Sequence, residues 1–293
     1  MSISNFDGAF EAARKKSLEN ARPTDKIDTE GFRYCPICGE RKEMVIPGFL
    51  SGRKLGISCA CVRAKNSKRE EDMRKNHLEN QIEEIRRRGI SDAKYASYTF
   101  KNDKGYNSSA MDYCRFYVEK WLEKKESGEG VLFYGSPGTG KSFAAGCIVN
   151  AIIERYIEPA FVTNFPRILN MNYDAREYAI DKIANSPLVV FDDLGVERKY
   201  DSALETIYYA IDTRALSGKP TIFTTNLELS VIENEQNTNY RRIYDRVLGM
   251  CPVKLCVVGE SHRRENAVEM AAKEREEFAK WQRERKQNDK KSD

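Results

Sequence analysis

The sequence predicts an α/β fold built on a parallel sheet, with a small metal-stapled module in front of it. Three observations carry that prediction. Gly135-Ser136-Pro137-Gly138-Thr139-Gly140-Lys141-Ser142 fits the phosphate-binding pattern G-x-x-x-x-G-K-[ST] in full. The apolar run Val131–Tyr134 precedes it as a buried strand, and Phe143–Ile153 follows as a buried helix. A second apolar run, Ser186–Gly195, ends in the acids Asp192 and Asp193. Strand-length runs recur at Ala160–Thr163, Thr221–Asn226 and Val253–Val258. Repeated β–α units of this kind fold as a parallel sheet.

The motif has a physical basis. Glycines let the backbone approach a phosphate and turn its N–H groups inward. The following helix presents free N–H groups and a positive dipole end to the anion. Lys141 is expected to reach the β/γ-phosphates and Ser142 to ligate Mg²⁺. Acids at the C-terminal end of a parallel strand lie beside such a loop. Asp192 is therefore expected in the Mg²⁺ shell, and Asp193 to orient or deprotonate an attacking water. Together these residues point to a nucleoside-triphosphate hydrolase site. Asn226, at the polar end of a third strand, either orients that water or simply forms the turn.

The chain has 293 residues, 32% of them charged and 40% hydrophobic. That length suits one domain of about 200 residues plus a smaller module. No apolar run approaches the roughly 20 residues of a membrane span. The first residues lack a signal-peptide pattern, so a cytoplasmic protein with no membrane partner is expected. The net charge of +4 is weak support for a nucleic-acid partner.

Taken in order, residues 5–20 suggest a short amphipathic helix. Cys35-Pro36-Ile37-Cys38 and Cys59-Ala60-Cys61 then form two close pairs, with Pro47-Gly48 and Ser51-Gly52-Arg53 as turns between them. Four thiolates suit tetrahedral Zn²⁺ in a closed structural site. Unbound core thiols are the alternative, but so short a segment has little core without a staple. Val62–Arg88 is charged and free of Gly and Pro, and reads as a solvated linking helix. Met111–Lys125 is an amphipathic helix whose aromatics (Tyr113, Phe116, Tyr117, Trp121) could stack bases, with core packing the default at this spacing. Asp201–Leu216 is a helix stopped by Ser217-Gly218-Lys219-Pro220. Arg241, Arg242 and Arg246 lie on a helix over Tyr240–Leu248, and the charged tail from Glu265 begins as a helix.

At this point the chain resembles a known family. The phosphate loop, Asp192-Asp193-Leu194-Gly195, Thr224-Thr225-Asn226, Arg242-Ile243-Tyr244-Asp245-Arg246 and Ser261-His262-Arg263 occur in the order seen in AAA+ helicase loaders of the DnaC/DnaI family. The IstB transposition helpers are close relatives of these loaders. The resemblance spans about residues 89–265, and the cysteine spacing in front is similar to the DnaI arrangement. It implies an AAA+ domain that binds ATP and Mg²⁺, with Asn226 as sensor 1 and Arg263 as sensor 2. Arg246, with Arg242 as the second candidate, would be an arginine finger acting on ATP in a neighbouring subunit. Many members carry Glu where Asp193 stands, so turnover is expected to be slow.

The domains expected are 1–62 (helix and zinc module, helicase-binding), 63–88 (linker), 89–265 (AAA+) and 266–293 (tail). The implied function is ATP-dependent loading of a replicative DNA helicase onto single-stranded DNA, with self-association through the AAA+ domain. Phe165, Tyr173 and Tyr178 are candidate base-stacking aromatics. The alternative is a transposition helper that binds duplex DNA and a transposase.

Overall fold

The computed structural model describes residues 24–45, 54–195, 201–259 and 262–289. The expected helix over 5–20 and the turns at Pro47-Gly48 and Ser51–Arg53 lie outside these residues. The chain forms two compact units, Met1–Asn80 and Gln81–Asp293. No helix among the described residues is long and apolar enough to cross a membrane.

The first unit is small. β1 (Lys26–Ile27) pairs antiparallel with β2 (Arg33–Tyr34), and β3 (Glu43–Val45) with β4 (Lys54–Gly56). Asp28 fixes the first hairpin by accepting from the N–H groups of Glu30 and Phe32. Phe32 is buried, with Arg41 and Lys54 over its ring. Among the described residues of this unit, little else apolar is buried.

The charged helix, Ala60–Gly89, follows. Its last turns belong to the second unit, where Ile82 and Ile85 pack on the core. Leu78, on the same face, is exposed. The helix stops at Gly89, where a Cβ would sit 1.8 Å from the Ala160 carbonyl oxygen.

The second unit is organised by five parallel strands in the order β6-β7-β8-β5-β9. They are β5 (Val131–Tyr134), β6 (Ala160–Thr163), β7 (Leu188–Leu194), β8 (Thr221–Thr225) and β9 (Val253–Cys256). Alternation divides their side chains between two cores. Val131, Phe133, Val190 and Ile222 face one cluster with the Lys141–Tyr156 helix. Leu132, Val189, Phe191 and Phe223 face the other, where the rings of Phe165, Phe191 and Phe223 stack at 5.0 and 5.1 Å. Phe165 is thus a core residue and not a base-stacking one, whereas Tyr173 and Tyr178 are exposed.

The expected helix over Met111–Lys125 is two helices, Ser108–Glu119 and Trp121–Ser127. Tyr117 and Trp121, four residues apart across the break at Lys120, are both buried, and Trp121 Nε1 donates to Glu158 at 3.2 Å.

At the opposite end of the sheet from the strand tips, Arg214 is wholly buried. Its guanidinium donates to the carbonyls of Ile183, Ser186, Pro187 and Pro220 and to Thr221 Oγ1. One cation thereby gathers the entries of β7 and β8. Burial pulls its pKa down to about 9, which still leaves it charged at neutral pH. Arg214→Met would strand several acceptors, each costing about 1–3 kcal/mol before relaxation. We expect a net loss of about 3–5 kcal/mol, read by chemical denaturation.

Candidate nucleotide-binding site

The phosphate loop runs from the tip of β5 into the Lys141–Tyr156 helix, as the motif requires. Gly135, Gly138 and Gly140 take φ values of +127°, +86° and +102°. Side chains there would strain the backbone, and a Cβ on Gly135 would also lie 2.7 Å from the Val257 carbonyl oxygen. Lys141 is buried, and its Nζ donates to the carbonyls of Gly135 and Ser136 at 2.9 and 2.7 Å. These bonds hold the ammonium within the loop. Thr139 closes the turn through Ser136, and Asn107 Nδ2 braces it by donating to the Thr139 carbonyl at 2.8 Å.

The acids meet the loop from β7. Ser142 Oγ donates to Asp192 Oδ1 at 2.8 Å, and Thr224 Oγ1 donates to the same oxygen at 2.6 Å. With its proton engaged, the Ser142 oxygen keeps lone pairs for a cation. This pairing fits Mg²⁺, which prefers a few oxygen ligands and retained waters. Asp193 follows with a φ of +57°, at a register irregularity between Phe191 and Leu194. Its N–H donates to Thr224 Oγ1 at 2.9 Å. The left-handed turn separates the two carboxylates. Asn226 Nδ2 lies 3.4 Å from Asp193 Oδ1, which brings the sensor candidate to the acid.

Around these groups is a cavity of about 530 Å³. Gly138–Ala144, Asp192, Asp193 and Asn226 line it on one side, and residues of the 92–111 segment on the other. The sequence reading assigned no role to Thr224, although it bridges both acids. Its signals are its place in the Thr224-Thr225-Asn226 stretch and at the polar end of a strand, neither of which shows that it touches both acids. Asn107 carried no signal, because its contact is set by chain packing. Asp193→Asn keeps the shape and removes the carboxylate expected to act as the base. Nucleotide affinity is expected to persist while hydrolysis falls about 100-fold or more, measured by phosphate release.

Arg242 and Arg246 lie on the exposed face of the Thr238–Met250 helix, opposite the buried Ile243, Tyr244 and Val247. Neither lines the cavity of its own chain. Arg246 Nε donates to Asp212 Oδ1 at 2.9 Å. Arg263 falls on the His262–Asp289 helix, and its side chain lies outside the described residues.

In the first unit Cys35, Cys38, Cys59 and Cys61 come together, all four sulfurs within 4.8 Å of one another. Hydrogen bonds from Gly39 N to Cys35 O and from Cys35 N to Glu40 O close the first knuckle. The N–H groups of Cys38 and then Ile37 pull the Cys35 thiol down to about 6, toward the thiolate a metal binds. Cys59 and Cys35 push Cys61 the other way. Zn–S bonds of about 2.3 Å place tetrahedral sulfurs a little under about 4 Å apart, so the cluster fits one such ion.

The architecture and the loop define an AAA+ P-loop fold with a cysteine cluster, fitted to a zinc module, in front of it. No protein-family model matches the chain. The replicative helicase loader DnaC of Escherichia coli K12 is 29% identical over 147 residues, covering 47% of this chain and 57% of that protein. An ATP-binding protein of an insertion sequence in Mycobacterium tuberculosis is 27% identical over 117 residues, covering 36% and 43% respectively. The chain spans about half the length of these curated relatives. The crystal structure of the DnaC helicase loader superposes with a TM-score of 0.50 at 27% identity, covering 57% of this chain and all of that one. The chain is therefore similar to the DnaC loaders in both sequence and fold.

Proposed function

We propose that this protein is an ATP-dependent loader of a replicative DNA helicase onto single-stranded DNA, acting in the cytoplasm during replication initiation. The observation that carries the reading is the joint sequence and fold similarity to DnaC. In this reading residues 1–62 bind the helicase, 63–88 link, 89–265 form the ATPase and 266–293 a tail.

ATP is the substrate. The amides of Gly135–Ser142 and the Lys141 ammonium bind its phosphates. Ser142 and Asp192 would hold Mg²⁺, which supplies charge neutralisation on the β- and γ-oxygens. Asp193 takes a proton from the attacking water, and Asn226 orients that water. Arg246 reaches the ATP of a neighbouring subunit, and Arg263 contacts the γ-phosphate. Asp is one methylene shorter than Glu, and a slow hydrolysis suits a switch whose bound nucleotide sets the conformation. Zn²⁺ on Cys35, Cys38, Cys59 and Cys61 holds the helicase-binding module together. Single-stranded DNA would meet Lys/Arg at its phosphates and exposed aromatics such as Tyr173 and Tyr178 at its bases.

A second reading, a transposition-helper ATPase on duplex DNA, is favoured by the insertion-sequence relative. Size-exclusion with light scattering separates the two. The loader gives a discrete complex with the host's replicative helicase. The helper gives none, and forms ATP-driven filaments on duplex DNA.

A further inference from the structure

Tyr95 stands on the short Ala93–Ala96 helix and is 4% exposed. It lines the cavity with Lys141, Ser142 and Asp192. Its hydroxyl is fully buried and has no hydrogen-bond partner. A buried hydroxyl without a partner is costly, and phenylalanine would fill the same space without that cost. The hydroxyl therefore needs an account beyond packing.

The backbone around it is tied down. Asn150, which is 1% exposed, donates from Nδ2 to the carbonyls of Tyr95 and Tyr98 at 2.9 Å each and of Gly146 at 3.0 Å. Asn150 Oδ1 accepts from Arg86 Nε at 3.0 Å, and Arg86 also pairs with Glu154. The Tyr95 ring packs on Tyr98 at 5.4 Å between centroids. The Tyr95 backbone is thus fixed, and its side chain lines the same cavity as Asp192 and Ser142. The hydrogen bonds that Asp192 accepts from Ser142 and Thr224 both fall on Oδ1.

We propose that Tyr95 is a positioning residue of the nucleotide site, whose hydroxyl donates to the Asp192 carboxylate and holds it in the orientation that serves the Mg²⁺ shell. The inference rests on the ATP·Mg²⁺ reading of the cavity. A hydrogen bond to a charged acceptor corresponds to roughly tenfold in an equilibrium constant.

The test is binding of a fluorescent ATP analogue to the full-length wild-type protein and to Tyr95→Phe, first in EDTA and then along a Mg²⁺ titration. Thermal unfolding of both proteins accompanies it. The variant is expected to melt no lower than wild type and to bind the analogue equally in EDTA. It should need roughly tenfold more Mg²⁺ to reach the same gain in affinity. An unchanged Mg²⁺ dependence would overturn the proposal. So would an equal loss with and without Mg²⁺, which marks a purely structural side chain. Failure of the wild-type protein to bind the analogue at all would overturn the ATP reading with it.

Discussion

Arg246→Ala will leave nucleotide binding intact and lower assembly-stimulated ATP hydrolysis by about 10³-fold or more, the effect of removing an arginine finger. Arg246 is on the outer face of its helix and does not line its own chain's cavity, the placement expected of a finger that serves a second subunit. Its partner there is Asp212, in a pair with the Arg246 side chain 44% exposed. Exposed ion pairs contribute about 0–1 kcal/mol, so leaving Asp212 for a phosphate costs little. The stability of the variant should therefore be close to wild type. Steady-state hydrolysis against protein concentration reads the effect. Wild type should accelerate as it assembles, and the variant should not. If Arg242→Ala shows the loss and Arg246→Ala does not, the finger is Arg242.

Removing zinc should have the largest effect on stability. Among the described residues the first unit buries few apolar side chains, chiefly Phe32, Cys35 and Cys59. A cluster this small offsets little of the chain entropy of the segment that carries it. A structural Zn²⁺ contributes on the order of 10 kcal/mol to folding such a module. A strong chelator, or Cys35→Ser, is expected to unfold residues 24–59 and abolish helicase binding. The Gln81–Asp293 unit has its own two-sided core and should keep its unfolding transition and its ATP affinity. Metal analysis of the purified protein, with amide exchange before and after chelation, reads both halves. One Zn²⁺ per chain with selective loss of protection in the first unit is the expected result.

Much of the ATPase fold was legible because its signals are local. The phosphate loop is contiguous, and the strands are apolar runs whose lengths match the observed elements to within a few residues. Asp201–Leu216 begins and ends where its stop signals put it. The cysteine pairs were legible through spacing alone, and the fold brings them to one point. What escaped the sequence depends on contacts between distant segments. Thr224 matters because β8 lies beside β7, and Tyr95 because the chain before the phosphate loop folds against it. Phe165 was misjudged because an aromatic after a strand looks the same whether it points out or in. The break at Lys120 has no sequence signal, because the helical spacing of Tyr113, Tyr117 and Trp121 runs straight through it. The left-handed turn at Asp193 had no sequence signal, since aspartate enters that region only when its surroundings hold it there.

The loader activity can be read by placing a replicative helicase on a closed circle of single-stranded DNA, which has no end to thread. Helicase recovered on the circle after a high-salt wash is measured with and without this protein and ATP·Mg²⁺. The loader reading predicts a strong gain with wild type, none with Lys141→Ala, and a gain that requires residues 1–88. Helicase recovery that is the same with and without the protein, while the protein binds ATP and coats duplex DNA, would contradict it.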